Sequence, residues 1–271
     1  MLKFLAVFSV FILLTTGVVY FVFRSSFFQA AGIEAVGSQR TEEIKRELIG
    51  VLSKTSKFRS WLGPENLLFW SSKAVEKIPP SLYWLSDLTL KRNWRLKKIF
   101  IEVKERQPWL IWCLQTQTNT DYTQTNADGS QYKSASSQRE SAINRCYWLD
   151  DSGVVFAFAP EAEGYIIPKV FAEDDRQLLF GQPFLDNPAL VKNALEIIKQ
   201  LKNSSLTISR FLVKNINLQE IEAETNGPRL YLNFRFPLQN LNGLLANLAR
   251  RLDLQKLEYI DFRVENRIYY R

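Results

Sequence analysis

The order of apolar and polar positions divides the chain into regions with different periods. Residues 4–23 carry no charge and lie between Lys3 and Arg24. At a rise of 1.5 Å per residue, a helix of this length matches a hydrocarbon core of about 30 Å. The pattern predicts a transmembrane helix at 4–23 behind a cytoplasmic tail at 1–3, with the large remainder outside the cytoplasm. A cleavable signal peptide fits less well, because no small-x-small cleavage site follows the apolar run.

Residues 24–108 alternate between strand and helix patterns. A strand pattern over 27–37 precedes a helix that Thr41 can cap and that carries two glutamates in its first turn. A second short helix begins near Ser71. Two strands follow, and in the second of them, KKIFIEVKER at 97–106, every second residue is apolar. The predicted order is therefore strand, helix, helix, strand, strand.

Residues 109–271 combine strands with two amphipathic helices. The strand patterns flank a polar loop at 116–144 that has almost no large apolar residue. The first helix has Asn187 as its N-cap and Pro188 at its first helical position, and the second helix is rich in leucine. The predicted fold class is α+β: one transmembrane helix, a first domain at 24–108, and a second domain of mostly antiparallel strands with two helices.

The composition narrows the possible chemistry. The chain has 271 residues, among them 11 glycines and no histidine. Without histidine, the Ser-His-Asp, Cys-His and histidine-based zinc mechanisms are excluded. The glycines do not cluster into a phosphate-binding loop. The S-x-x-K sequence at 130–133 matches a motif of penicillin-binding enzymes, but it lies in the polar loop and the other motifs of that class are missing. We therefore expect no enzymatic activity, no cofactor and no metal.

The formal net charge is +7, and the positive excess is spread along the chain. Such a charge is compatible with an anionic membrane or cell-wall surface and is weak evidence for nucleic acid. The densest group of cations surrounds Trp94 and comprises Lys91, Arg92, Arg95, Lys97 and Lys98. This group is either a solvated hairpin tip or a contact with anionic lipid or wall polymer.

The two cysteines, Cys113 and Cys146, lie at the two ends of the polar loop, on segments predicted to be neighbouring strands. Outside the cytoplasm such a pair can form a disulfide that closes a loop of about 30 residues and contributes roughly 3 kcal/mol. Two buried free thiols are the alternative. Both readings agree with the sequence.

The last residues, YIDFRVENRIYYR at 259–271, alternate between apolar and polar positions on either side of a turn at 265–266. This pattern predicts a hairpin that closes a sheet. An edge strand here either completes the core or offers its free backbone groups to a partner strand. The sequence pattern alone favours neither alternative.

Three motifs in this order resemble the FtsQ/DivIB family of bacterial cell-division proteins. The segment ERQP at 105–108 is similar to the E-R-x-P junction of that family, and DDSGVVF at 150–156 is similar to its D-x-x-G-x-V-F segment. The segment IDFR at 260–263 is similar to its I-D-L-R segment. The resemblance covers essentially the whole chain behind one apolar helix.

This resemblance implies a POTRA domain at 24–108 and a β-domain at 109–271, in a single-pass inner-membrane protein at the division septum. It implies a non-enzymatic scaffold that links early and late division proteins and regulates the septal peptidoglycan synthase complex. The implied partners are FtsB/DivIC-like and FtsL-like bitopic proteins, the former added to the last strand by β-augmentation. The partner-binding residues are then Arg263, Val264, Arg267, Ile268, Tyr269, Tyr270 and Arg271.

Two other functions compete with the scaffold. A POTRA-containing export or chaperone protein would normally feed a transmembrane β-barrel, and no segment is left for one. A membrane-anchored cell-wall enzyme is disfavoured by the missing histidine and the isolated S-x-x-K sequence.

Overall fold

A computed structural model of the chain describes residues 2–75, 78–115, 145–160, 166–174 and 176–271. The α+β class is confirmed. The chain divides into two compact units, Met1–Arg106 and Gln107–Arg271, and each is described by itself. The polar loop predicted at 116–144, with its S-x-x-K sequence, lies outside the described residues.

Helix α1 (Leu2–Arg24) begins the first unit. In the part of the chain that the structure describes, no helix is long and apolar enough to cross a membrane. The predicted transmembrane helix at 4–23 is therefore wrong, and so is the single-pass inner-membrane localisation that depends on it.

The rest of unit 1 is a small sheet with helices. Its strands are β1 (Gly32–Val36), β2 (Leu85–Asn93) and β3 (Lys98–Glu105), and its further helices are α2 (Thr41–Thr55) and α3 (Lys57–Leu62). Strand β3 is central, parallel to β1 and antiparallel to β2. The second helix lies earlier than the sequence predicts, and the segment after Ser71 forms only a 3-10 helix at Ser72–Val75.

The core of unit 1 follows from two periodicities. Helix α2 buries Ile44, Leu48 and Leu52, which recur every four residues and share one face. Strand β3 buries Ile99 and Ile101, which alternate with more exposed neighbours. Each such side chain contributes about 1.5–3 kcal/mol on burial. The two buried faces belong to one apolar cluster.

Unit 2 is built on one large mixed sheet. Its strands are β4 (Leu110–Gln115), β5 (Arg145–Leu149), β6 (Val155–Phe158), β7 (Lys169–Glu173), β8 (Ile208–Val213), β9 (Glu220–Thr225), β10 (Arg229–Asn233), β11 (Tyr259–Asp261) and β12 (Tyr269–Tyr270). Its helices are α4 (Pro188–Lys202) and α5 (Leu241–Arg251). The strand order is β12-β11-β10-β9-β8-β7-β4-β5-β6. The pairs β10/β11, β4/β7 and β7/β8 are parallel and the others antiparallel, so β12 and β6 are the two ends of the sheet.

The two faces of this sheet differ. Residues of α4 and α5 such as Ile197 and Leu245 share one apolar cluster with strand residues such as Phe211 and Leu232. In β9, buried Ile221 and Ala223 alternate with three glutamates whose side chains form ion pairs with Arg210, Lys214 and Arg263. The second face is charged at β9, whereas at β4 and β5 it carries a smaller apolar cluster around Ile111, Cys113 and Cys146.

Candidate functional site: the terminal sheet edge

Strand β11 is held in the sheet by its neighbour β10 and by the core. Ile260 lies opposite Leu230 in a parallel register. The backbone N–H of Phe262 donates to the carbonyl of Tyr231 at 2.7 Å. Ile260 and Phe262 are buried in the main apolar cluster. The end of the chain is therefore anchored by apolar side chains that alternate, as the sequence predicts.

A tight turn then returns the chain to β11. The backbone N–H of Arg267 donates to the carbonyl of Val264 at 3.2 Å, and Asn266 has a left-handed φ of 59°. Asparagine tolerates this conformation better than most residues. Strand β12 pairs antiparallel with β11, so that Tyr270 lies opposite Ile260.

The paired segment is shorter than the alternation of the sequence predicts. The side-chain amide of Asn233 donates to the carbonyl of Arg263 at 2.6 Å, and the N–H of Arg263 donates to the Asp261 carboxylate at 2.9 Å. Since these backbone groups bond to side chains, they are not available to β12. Strand β11 therefore ends at Asp261.

Strand β12 is an edge. Within the described residues it pairs with β11 alone. The N–H of Arg271 donates to Tyr259 and its carbonyl accepts from Glu258, so both groups face β11. Because backbone groups alternate along a strand, the N–H and carbonyl of Tyr270 point away from β11. The side chains of Tyr269 and Tyr270 are 47% and 49% exposed.

Arg263 is bound to neighbouring residues of its own chain. Its guanidinium donates to the Asp261 carboxylate at 2.7 Å and to Glu220 on β9 at 3.1 Å. It also lies over the ring of Tyr231, 5.0 Å from the ring centroid. This network ties the end of β11 to β9 and β10.

The network shifts two pKa values. Burial of Asp261 raises the pKa of its carboxyl, but the hydrogen bonds and the charge of Arg263 outweigh burial, so the pKa is lowered overall. The hydrogen bond to Asp261 raises the pKa of Arg263, and Glu220 acts in the same direction. Both groups therefore stay charged at neutral pH.

The seven residues predicted to bind a partner fall into two groups. Arg263 and Ile268 are half-buried, the former in the ionic network and the latter against the apolar core. The other five are exposed along the turn and the edge: Val264, Arg267, Tyr269, Tyr270 and Arg271. The structure thus gathers an exposed strip of two tyrosines and two arginines at the end of the sheet.

A cavity of about 480 Å³ opens beside this strip. It is lined by the turn at 264–268, by Phe262 before this turn, by residues 236–239 and by Leu244 of α5. Sequence reasoning missed this cavity, because its two walls are separated along the chain and only the sheet brings them together. Gln239, Glu265 and Arg267 also line it, so the cavity suits a partner side chain that has both an apolar and a polar part.

A disulfide joins Cys113 to Cys146. The two residues lie directly opposite each other on β4 and β5, and both are buried. The bond lies near the β6 end of the sheet, far along the strand order from β12. It therefore belongs to the framework of unit 2.

Among the described residues, no group of three acidic or cysteine side chains is placed to hold a metal ion. The terminal edge itself offers backbone donors and acceptors, aromatic rings and cations, which are the components of a protein-binding surface. Fold and edge together define a two-unit α+β protein whose last strand is open to strand addition. No protein-family model matches the chain, and no curated protein matches it either.

Proposed function

We propose that this chain is a non-enzymatic scaffold protein of bacterial cell division that acts as members of the FtsQ/DivIB family do. It binds an FtsB/DivIC-like partner by addition of a strand to β12. The observation that carries this proposal is the open edge at Tyr270, whose backbone N–H and carbonyl point away from β11.

The energetics favour an interface that combines backbone pairing with side-chain contacts. Each added backbone hydrogen bond contributes only about 0.5–1.5 kcal/mol net. The described edge is short, so backbone pairing must be supported by burial of Tyr269 and Tyr270 and by a partner side chain in the neighbouring cavity. Arg271 pairs with Glu258 at 3.7 Å, whereas Arg267 is exposed and forms no ion pair within the described residues, so Arg267 favours a partner strand that carries an acidic residue.

In this role the protein links early and late division proteins, with an FtsL-like protein in the same assembly. It regulates the septal peptidoglycan synthase complex through protein contacts rather than through chemistry of its own. Support for this role comes from the sequence resemblance and from the open edge, which supplies a binding surface at the position that the resemblance implies.

Truncation tests the proposal. The full chain and a chain that ends at Glu265 are compared by calorimetry for binding to a soluble segment of the FtsB-like protein from the same genome. We expect binding by the full chain and at least a hundredfold loss on truncation, because the truncated chain lacks β12. Matching circular dichroism and unfolding midpoints of the sheet show that both chains are folded. Equal binding by both chains, or by neither, would contradict the proposal.

A further inference from the structure

A chain of aromatic rings surrounds the C-terminal end of α1 in unit 1. Phe23 contacts Phe58 and Trp61 of α3, with ring centroids 6.4 and 5.9 Å apart. On another side, Phe28 contacts Trp94 of the β2–β3 hairpin at 6.4 Å. We call the exposed part of this arrangement the aromatic collar: Phe27, Phe58, Trp61, Trp94 and Leu96.

The collar is exposed although its backbone is fixed. Trp61, Phe58 and Trp94 are 77%, 55% and 41% exposed. Hydrogen bonds hold the segments that carry them: Lys97 Nζ donates to the carbonyl of Ser26 at 2.8 Å, and the amide of Asn66 donates to the carbonyl of Val22 at 2.9 Å. Exposed apolar side chains grouped around one helix end are typical of an interaction surface.

Cations outnumber carboxylates beside the collar. The segments 21–33, 48–64 and 88–101 contain no aspartate or glutamate. The exposed Glu65 directly follows the second segment, and Glu102 and Glu34 pair with Lys91 and Lys98. Within the described residues, Lys57 and Arg95 are exposed and form no ion pair. The guanidinium carbon of Arg92 lies 5.3 Å from the ring centroid of Trp94, so the collar has a positive charge directly beside this ring. The collar therefore combines apolar rings with unneutralised positive charge.

We infer that the aromatic collar binds a lipid surface rich in anionic headgroups, a function separate from strand addition at β12. Tryptophan and phenylalanine rings are stable at the boundary between headgroups and acyl chains, and lysine and arginine are attracted by anionic lipid. Rings and cations converge on one end of unit 1, as this boundary requires. The proposed contact is with the headgroup and interfacial region of the bilayer.

Flotation with vesicles tests this inference. The full chain is floated with vesicles of phosphatidylcholine alone and with vesicles that contain phosphatidylglycerol. Three chains are compared: the native one, the variant Trp61→Ser/Lys57→Gln, and the control Leu218→Ser/Lys256→Gln, which removes an exposed apolar side chain and an exposed cation in unit 2. Helix α1 is unchanged in all three, so any contribution of α1 is the same.

We expect the native chain and the control to bind anionic vesicles equally, and the collar variant to bind on the order of tenfold more weakly. Equal binding by all three chains, or native binding that does not depend on phosphatidylglycerol, would overturn the inference. Binding of a soluble anionic polymer that competes fully with vesicles, and that is unaffected by Trp61→Ser, would assign the surface to a polymer instead and would also overturn it.

Fluorescence quenching gives a second readout that does not depend on the stability of a variant. Trp61→Phe/Trp94→Phe keeps the collar apolar and removes its two tryptophans, while Trp70 and Trp112 in the cores stay buried. We expect brominated anionic lipid to quench the native chain and to lose most of this effect in the variant. Equal quenching of both chains would show that other tryptophans contact the lipid and would contradict the inference.

Discussion

At the scale of single residues, Arg263 has more partners than any other residue that we describe at the terminal edge. It joins Asp261 beside it with Glu220 on β9, and it covers the ring of Tyr231. The resemblance assigns Arg263 to partner binding, whereas its side chain is committed to its own sheet. Its role at the edge is therefore to hold β11 in the orientation from which β12 returns.

Replacement of Arg263 by alanine tests this role. Because the guanidinium makes charge-assisted hydrogen bonds but is partly exposed, we expect Arg263→Ala to lower the free energy of unfolding by about 1–2 kcal/mol. Urea unfolding of unit 2 measures the change. Arg267→Ala is the matched control, since Arg267 is exposed in the turn, and should change the same quantity by less than about 0.5 kcal/mol. Equal effects of the two substitutions would contradict the role of the network.

The lowered pKa of Asp261 makes this contribution depend on pH. The folded-state pKa lies below the unfolded value of about 3.9, so the stabilisation is complete well above pH 4 and is lost as the pH falls through the folded-state pKa. Asp261→Asn should therefore lower the melting temperature at pH 7, and the difference from the native chain should shrink below about pH 4. Thermal melts at pH 7, 5 and 3 measure it, and a difference that is constant with pH would contradict the ionic origin.

Only some of the features of single residues at this edge can be predicted from the sequence. Alternation correctly separates buried Ile260 and Phe262 from their exposed neighbours. It cannot find the partners of Arg263, because Glu220 lies 43 residues away along the chain. Only the strand order brings these two side chains together.

At the scale of elements, the β5–β6 turn is fitted closely to α4. The Asp150 carboxylate accepts the backbone N–H of Ser152 at 3.0 Å and that of Val154 at 2.9 Å. Gly153 between them has a left-handed φ of 80°. A Cβ atom added at Gly153 would lie 2.7 Å from Val191 on α4. This turn therefore requires glycine for both its conformation and its space.

Alanine at this position should be strongly destabilising. We expect Gly153→Ala to cost more than about 2 kcal/mol in the free energy of unfolding, from backbone strain together with overpacking. Denaturant unfolding measures it. Gly32→Ala is the control, because Gly32 has no left-handed φ and no atom within 4 Å of an added Cβ, and its effect should be small. Similar losses of unfolding free energy in the two variants would contradict a specific requirement for glycine at 153.

The disulfide between β4 and β5 is a second feature that stabilises unit 2. It joins residues 33 positions apart, and the chain-entropy relation gives it roughly 3–4 kcal/mol. Dithiothreitol should lower the melting temperature of unit 2 in the native chain and leave it unchanged in Cys113→Ala/Cys146→Ala. Alkylation of both thiols in the native chain without reductant would show that the bond is absent.

Elements with strong local signals are predictable from the sequence, and those that depend on neighbours are not. Asn187 and Pro188 fix the start of α4, as the sequence predicts. Strand β7 was not predicted, because KVFAE is short and is stabilised between two parallel neighbours, β4 and β8. A strand between two parallel neighbours lacks the clear alternation of apolar and polar residues by which a strand is predicted.

At the scale of the whole molecule, the chain carries two surfaces for which we propose separate contacts. Unit 1 presents the aromatic collar, and unit 2 presents the terminal edge with its cavity. The division near Pro108 could be anticipated from the change in sequence pattern. The described helices contradict the predicted membrane span, and they place the second helix of unit 1 before the predicted start near Ser71.

The backbone of Tyr270 offers the most direct test of strand addition. Tyr270→Pro removes the N–H that points away from β11, and a proline is tolerated at an edge position of this kind. Tyr270→Ala is the matched control, because it removes the same side chain and keeps the N–H. Binding of the FtsB-like segment to the full-length variants is measured by calorimetry, with hydrogen exchange of β11 as the check on folding.

Strand addition predicts that Tyr270→Pro binds at least tenfold more weakly than Tyr270→Ala, while β11 stays equally protected in both variants. Equal affinities of the proline and alanine variants would mean that no partner strand pairs with β12, and would contradict the central claim.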